Sequence, residues 1–299
     1  MNRVALLGTG LMGSAMAERL LDSGFEVHVW NRTPGPAGAL AERGAIKHAE
    51  PAEAVRDADV VITMLATGGA VQDVMIRQGV LAAIQPDGAW AQMGTIGVDA
   101  TESLAGEVAR RRPDVAFVDA PVTGTRGPAR SGELTILASG PDRARAAVDP
   151  LLAALGRRVL WLGPAGQGSR LKLLLNTWLA FEVEAAAEVN ATAHRLGIPY
   201  SSLRGAAEGT PLASGAALAR MDQMEKGDHS PNFPLEWALK DLDLVADAAG
   251  PQSVPVAGAI ADRWRRLVGE GYGRLDVSAA RLGLTEERAA VATSQEAQP

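Results

Sequence analysis

A short apolar run, Val4–Leu7, leads directly into Gly8-Thr9-Gly10-Leu11-Met12-Gly13, and a helical pattern follows from about Met12 to Asp22. No other stretch limits the fold as tightly. A strand that ends in G-x-G-x-x-G and opens a helix is the phosphate-binding turn of a doubly wound α/β domain. Gly8 permits the tight turn, Gly10 lets the backbone approach a pyrophosphate, and Gly13 lets the helix pack closely on the strand. The helix start at Leu11 and Met12 then presents free N–H groups and a positive dipole end to phosphates. The alternative is a glycine turn used only for packing. A second strand, Val27–Trp30, arrives on schedule and favours the dinucleotide.

The residues after that second strand select the cofactor. Enzymes that use NAD usually place Asp or Glu there, on the ribose 2′-hydroxyl. This chain has Asn31-Arg32-Thr33. All three can donate to a 2′-phosphate, and the guanidinium fork suits phosphate geometry. The reading is NADP(H), against a merely solvated Arg32.

Strand-like and helix-like segments keep alternating. Ala37–Arg43 reads as a helix; Val60–Leu65, Ala89–Met93 and Ala116–Val118 read as strands. That order implies parallel pairing in a doubly wound, Rossmann-type sheet. From about Gly168 no strand is evident, and Gly/Pro breaks at 197–199, 209–211, 227–234 and 250–255 divide a helical second half. The expected division is a nucleotide-binding domain over 1–165, an all-α domain over 166–290 and a flexible tail over 291–299.

Net charge −6 argues against nucleic acid and anionic membrane surfaces as partners. Cysteine is absent, which removes disulfides, thiolate metal sites and a thiol nucleophile. The four histidines show no metal-ligand spacing, so no metal is expected. The N-terminus reads as a strand and not as a signal peptide. The apolar stretch Leu171–Ala187 holds Lys172, Asn176, Glu182 and Glu184, which suits a buried helix better than a membrane span. A cytoplasmic protein is expected.

Two further segments carry chemistry. Lys172 and Asn176 are four residues apart among leucines and share one helical face. Such a lysine either snorkels to water or is held in a site, where burial would lower its pKa toward neutrality. Asp119-Ala120-Pro121-Val122-Thr123-Gly124 follows a strand, at the edge where ligands of doubly wound sheets bind. Thr123 offers a hydroxyl and Gly124 an N–H for an anion; an ordinary turn is the alternative.

Four segments in order, GTGLMGSAMA (Gly8–Ala17), DAPVTG (Asp119–Gly124), GQGSRLKLLLN (Gly166–Asn176) and KDLDL (Lys240–Leu244), resemble the β-hydroxyacid dehydrogenase family. Its members include 3-hydroxyisobutyrate dehydrogenase, tartronate semialdehyde reductase and glyoxylate/succinic semialdehyde reductase, and its architecture is similar to that of 6-phosphogluconate dehydrogenase. The resemblance spans nearly the whole chain. It implies an NADP(H)-dependent oxidoreductase that interconverts a small β-hydroxy acid, or related alcohol, and its semialdehyde or ketone. By the same resemblance Lys172 is the general acid in reduction and the general base in oxidation. Asn176 orients the substrate. Thr123, where the family has serine, holds the substrate carboxylate with the Gly124 backbone. Thr95, in MGTI, lies beside the nicotinamide and Leu65 along the cofactor; Phe233 and Lys240 close over the nicotinamide end. A homodimer or homotetramer is implied, bridged by Leu171–Ala187.

The chain departs from the family at Thr125, which replaces the second glycine of DAPVSGG, and at Pro128 and Glu133, where Ala and Thr are usual. Trp178 and Trp237 lie near the expected pocket. These changes bear on the substrate more than on the reaction type. Imine reductases share the architecture and the NADP signature but typically carry Asp or Tyr in place of the lysine. Imine reduction and a non-catalytic NADP-binding module are the two alternatives.

Overall fold

The computed structural model describes residues 3–284. Its parallel strands β1 (Arg3–Leu7), β2 (Glu26–Trp30), β3 (Ile46–Lys47), β4 (Val60–Thr63), β5 (Ala89–Gln92) and β6 (Ala116–Asp119) form one sheet in the order β3-β2-β1-β4-β5-β6. The order reverses between β1 and β4, and in such sheets ligands bind at that switch point, beyond the strand ends. Strand residues alternate between two cores. Val4, Leu6, Val60 and Ile62 enter one, while Ala5, Leu7, Val61 and Trp90 enter the other. Both faces are covered, which is why these strands read as unbroken apolar runs.

The connecting helices are α1 (Leu11–Asp22), α2 (Pro34–Ala41), α3 (Pro51–Val55), α4 (Gly68–Gln72), α5 (Val80–Ala83) and α6 (Val98–Arg111). Helix α2 starts three residues before the expected Ala37, because Pro34 is preset for the first helical position behind an extended Thr33. The strands expected at Val60–Leu65 and Ala89–Met93 stop at Thr63 and Gln92.

A second sheet of three strands was not foreseen: β7 (Val122–Thr123), β8 (Leu134–Ala138) and β9 (Gly156–Trp161), with α7 (Arg126–Ser131) and α8 (Arg145–Leu155) between them. β7 pairs antiparallel with β8, and β9 parallel with it. Thr123 therefore sits on a short strand instead of in a plain turn.

The remaining helices are α9 (Gln167–Arg195), α10 (Tyr200–Ala207), α11 (Gly215–Lys226), α12 (Leu235–Ala249) and α13 (Pro255–Gly269). Their boundaries follow the Gly/Pro breaks, with Pro199, Pro234 and Pro255 at or just before helix starts. Within the helical unit, Glu184 on α9 is buried but satisfied: it accepts from Trp264 Nε1 at 2.8 Å and Arg263 Nη2 at 2.7 Å.

The chain divides into two compact units after Leu173, inside α9 and beyond the expected boundary at 165. The first turns of α9 belong with the N-terminal unit because they are hydrogen-bonded to Asp119 and Ser139, at the ends of β6 and β8. The expected tail over 291–299 lies outside the described residues.

Candidate active site

The glycine turn is built by close approach. Gly8 has φ +104°, a conformation that side chains resist, and a Cβ there would lie 2.5 Å from Met64 O. A Cβ on Gly13 would lie 1.9 Å from Gly8 O, so α1 can pack on β1 only without one. Gly10 is different: a Cβ there would meet nothing within 4 Å. It caps α1 with no side-chain hydrogen bond, and the first turn of α1 holds no acid. The amides that begin at Leu11 and Met12 thus face an open cradle with an uncompensated positive dipole. The geometry fits a dinucleotide pyrophosphate.

Asn31, at the end of β2, is a clasp. Its Oδ1 accepts from Thr9 N at 3.0 Å, and its Nδ2 donates to Thr33 O and Thr33 Oγ1, each at 2.9 Å. Through these bonds Asn31 orders the turn beside Arg32. The Thr33 hydroxyl proton stays available. Arg32 is exposed and makes no ion pair among the described residues.

Leu65 and Thr95 follow β4 and β5 on the same edge as Gly8. Leu65 Cδ2 would lie 2.8 Å from a Gly8 Cβ, and Leu65 O 2.5 Å from a Gly94 Cβ. Beneath them runs a buried polar chain that sequence reading missed. Trp90 Nε1 donates to Thr63 Oγ1 at 2.9 Å, Thr63 Oγ1 donates to Gln92 Oε1 at 2.7 Å, and Gln92 Nε2 donates to Gly94 O at 2.7 Å. It fixes the turn that carries Thr95.

The DAPVTG segment leaves β6 through Asp119, which is fully buried. Asp119 Oδ2 accepts from Ser169 N at 2.8 Å, Ser139 Oγ at 3.0 Å and Gly166 N at 3.1 Å, and Oδ1 lies 2.8 Å from Ser169 Oγ. Burial pushes its pKa above the usual carboxylate range, against the pull of these donors. This anchor holds the start of α9. Gly124 has φ +126° and is exposed, which leaves its backbone open to a ligand. Thr125 is extended at φ −106°, so the family's second glycine is not required here. Pro128 packs 3.2 Å from where a Gly124 Cβ would stand.

Lys172 and Asn176 are 9% and 8% exposed, one turn apart on α9. Asn176 Nδ2 donates to Asp241 Oδ2 at 2.5 Å, and Lys240 Nζ donates to Asp241 Oδ1 at 2.6 Å. Asp241, buried on α12, therefore fixes the Asn176 amide and ties it to Lys240. Its position inside KDLDL was legible; its role was not, because it depends on two helices meeting. Phe233, just before α12, is half-buried against the helical core, and its N–H donates to Asp276 Oδ2 at 2.9 Å. Trp178 is 67% exposed, with Nε1 on Glu182 Oε1 at 3.1 Å. Among the described residues no three His, Asp or Glu are grouped as metal ligands.

A doubly wound sheet with an open glycine cradle, joined to a helix bearing a buried lysine and asparagine, defines a dinucleotide-binding oxidoreductase. Comparison with known proteins narrows the class. Residues 3–163 match the NAD binding domain of 6-phosphogluconate dehydrogenase, and residues 166–282 match the NAD-binding domain of NADP-dependent 3-hydroxyisobutyrate dehydrogenase. The chain belongs to the 3-hydroxyisobutyrate dehydrogenase family. It is 34% identical over 280 residues to glyoxylate/succinic semialdehyde reductase 1 of Arabidopsis thaliana, covering 92% of this chain and 96% of that one. The crystal structure of a 3-hydroxyisobutyrate dehydrogenase from Salmonella typhimurium superposes with TM-score 0.86 at 26% identity, covering 94% of this chain and 99% of that one. An imine reductase from Pseudomonas sp. gives TM-score 0.59 at 24% identity over 95% of this chain and 99% of that one, which shows a shared fold alone.

Proposed function

We propose that this protein is an NADP(H)-dependent reductase that interconverts a small β-hydroxy acid, or related alcohol, and its semialdehyde or ketone. The observation that carries the reading is Lys172, nearly buried and one turn from an Asn176 whose amide is held by Asp241. The pyrophosphate would lie over Gly10, Leu11 and Met12. The 2′-phosphate would take the unpaired Arg32 and the Thr33 hydroxyl, with Leu65 and Thr95 along the nicotinamide half and Phe233 and Lys240 closing its end. When bound, the nicotinamide supplies or accepts the hydride.

The chain's own groups do the rest. Thr123 Oγ1 and the Gly124 backbone hold the substrate carboxylate. Asn176 orients the reacting oxygen. Lys172 gives that oxygen a proton as a carbonyl is reduced and takes it back in oxidation. General acid help of this kind contributes roughly 10²–10⁴ in rate, and positioning supplies the remainder. The named relatives act on glyoxylate, succinic semialdehyde or 3-hydroxyisobutyrate, all short carboxylates with an aldehyde or hydroxyl, and that chemistry suits Thr123 and Gly124.

The test is oxidation of NADPH and NADH against succinic semialdehyde, glyoxylate, tartronate semialdehyde, methylmalonate semialdehyde and one cyclic imine. Semialdehyde turnover with NADPH preference supports the reading. Turnover of the imine alone overturns it.

A homodimer or homotetramer is part of the proposal. Leu174, Leu175, Trp178 and Phe181 form an exposed apolar stripe on α9, which suits a subunit contact. No helix among the described residues is long and apolar enough to cross a membrane. A cytoplasmic enzyme is the reading we adopt.

A further inference from the structure

The segment 229–234 leads into α12 with no helix and only the isolated bridge Pro234–Asp276. Two of its residues, Pro231 and Pro234, have no N–H to donate. Irregular backbone packed against a core must find acceptors outside the regular ladders. Here they come from one carboxylate. Asp276 is fully buried. Its Oδ2 accepts from Phe233 N at 2.9 Å and from Asn232 N at 3.1 Å. Its Oδ1 accepts from Arg220 Nη1 on α11 at 2.9 Å and from Ser278 N at 3.1 Å.

Backbone bonds extend the contact. His229 O accepts from Asp276 N at 2.9 Å, Phe233 O accepts from Val277 N at 2.8 Å, and Leu235 N donates to Leu275 O at 2.9 Å. Phe233 is thereby held through both its N–H and its C=O. Pro234 gives the start of α12 no side-chain cap, so the first amide of that helix is also satisfied from this strip.

We infer that Asp276 is a positioning residue that sets Phe233 and the entry of α12 in place before a cofactor arrives. This role rests on the proposed placement of Phe233 at the nicotinamide end. A neutral acceptor could take the two loop amides, but it would leave the Arg220 charge without a partner. The anchor reaches further along the helix. Asp241, which fixes the Asn176 amide, lies on the second turn of α12, so its register follows from the same entry. Ordering a segment costs entropy. A segment already ordered on folding does not carry that cost into binding.

A double-mutant cycle tests the inference, with NADPH affinity read by fluorescence titration. Asp276→Ala should weaken NADPH binding roughly tenfold. In a Phe233→Ala background the same change should alter affinity by no more than about twofold, because its effect is transmitted through the ring. Equal losses in both backgrounds, or no loss in either, overturn the inference. If Phe233→Ala by itself leaves NADPH affinity unchanged, the placement of Phe233 falls and the role of Asp276 falls with it. In turnover the loss should sit in the KM for NADPH and spare the KM for the carbonyl substrate. A rise in both would make Asp276 a general structural residue. If Asp276→Ala does not fold, amide hydrogen exchange on the cofactor-free wild type decides. The Asn232 and Phe233 amides should exchange as slowly as those inside α12, and exchange at the rate of an open loop overturns the anchor. Titration and exchange need no turnover, so they stand apart from the choice of substrate.

Discussion

Helices α1 and α9 both begin beside a strand end of the N-terminal unit, and the two starts are finished in opposite ways. At α1 the chain supplies no acceptor: Gly10 makes no side-chain cap and no acid follows in the first turn. At α9 it supplies Asp119, which takes the Gly166 and Ser169 amides and is buried with them. A helix start has several N–H groups that need acceptors. One start is left open for an anion from outside, and the other is closed by the protein. The difference separates their duties. In the proposed reading α1 is the end that receives the cofactor, whereas α9 is clamped ahead of Lys172, one turn further on.

Each half of this contrast can be broken. The largest effect is expected at Lys172. Lys172→Ala should cut turnover by about 10²–10⁴ while NADPH titration by fluorescence stays near wild type. Unchanged turnover would remove the lysine from the chemistry and leave α9 a structural helix.

The open start is probed by two glycines. Gly13→Ala places a carbon 1.9 Å from a backbone oxygen and should cost about 1–3 kcal/mol or more in unfolding, with loss of dinucleotide binding. Gly10→Ala meets no protein atom, so it should fold with a near-normal melting temperature yet bind NADPH less well. If both alanine variants bind equally well, the cradle is not where the phosphate lies.

Arg32→Ala sharpens the cofactor assignment. A hydrogen bond to a charged group is worth about 1.5–3 kcal/mol, so NADPH affinity should fall roughly tenfold to a hundredfold with NADH affinity little changed. An equal fall for both would assign Arg32 a general role.

The smallest effect concerns the edge of the sheet beside the turn. His28 Nδ1 and His48 Nε2 are 2.8 Å apart, and His28 Nε2 lies 2.9 Å from Glu26 Oε1. Burial, and then the charge of His28, hold the His48 pKa below its ordinary value. The unfolded chain therefore binds more protons there, and stability should fall as pH drops through the ordinary histidine range, near 6.5. His48→Gln should flatten that part of a melting-temperature profile, and an unaltered slope would mean the pair does not titrate on folding.

How much was legible beforehand varies with how local the chemistry is. The glycine turn could be read because its requirements concern neighbours in the chain: Gly8 needs a positive φ, and Gly13 must approach Gly8 itself. The Gly/Pro breaks of the helical half were equally local. The sheet β7-β8-β9 escaped reading because β7 is two residues long and β9 carries Arg157 and Arg158 exposed, so neither shows clean alternation. Asn31 was read as a phosphate donor; that its amide also clasps Thr9 and Thr33 could not be read, because that depends on how the turn folds back.

By itself the sequence determined that a strand, a glycine turn and a helix begin this chain, that alternating elements build a doubly wound sheet, and that a lysine and an asparagine share one face of a long helix. Periodicity and backbone sterics act over a few residues, and so they are written in short segments. Only the tertiary structure decided that Asp119 accepts from the Ser169 hydroxyl, that Thr63 and Gln92 support the turn before Thr95, and that Asp241 fixes Asn176. Those bonds join groups 29 to 65 residues apart. A buried polar atom takes whichever partner packing brings within about 3 Å, and that choice is made by the sheet and the helix contacts, not by the order of residues.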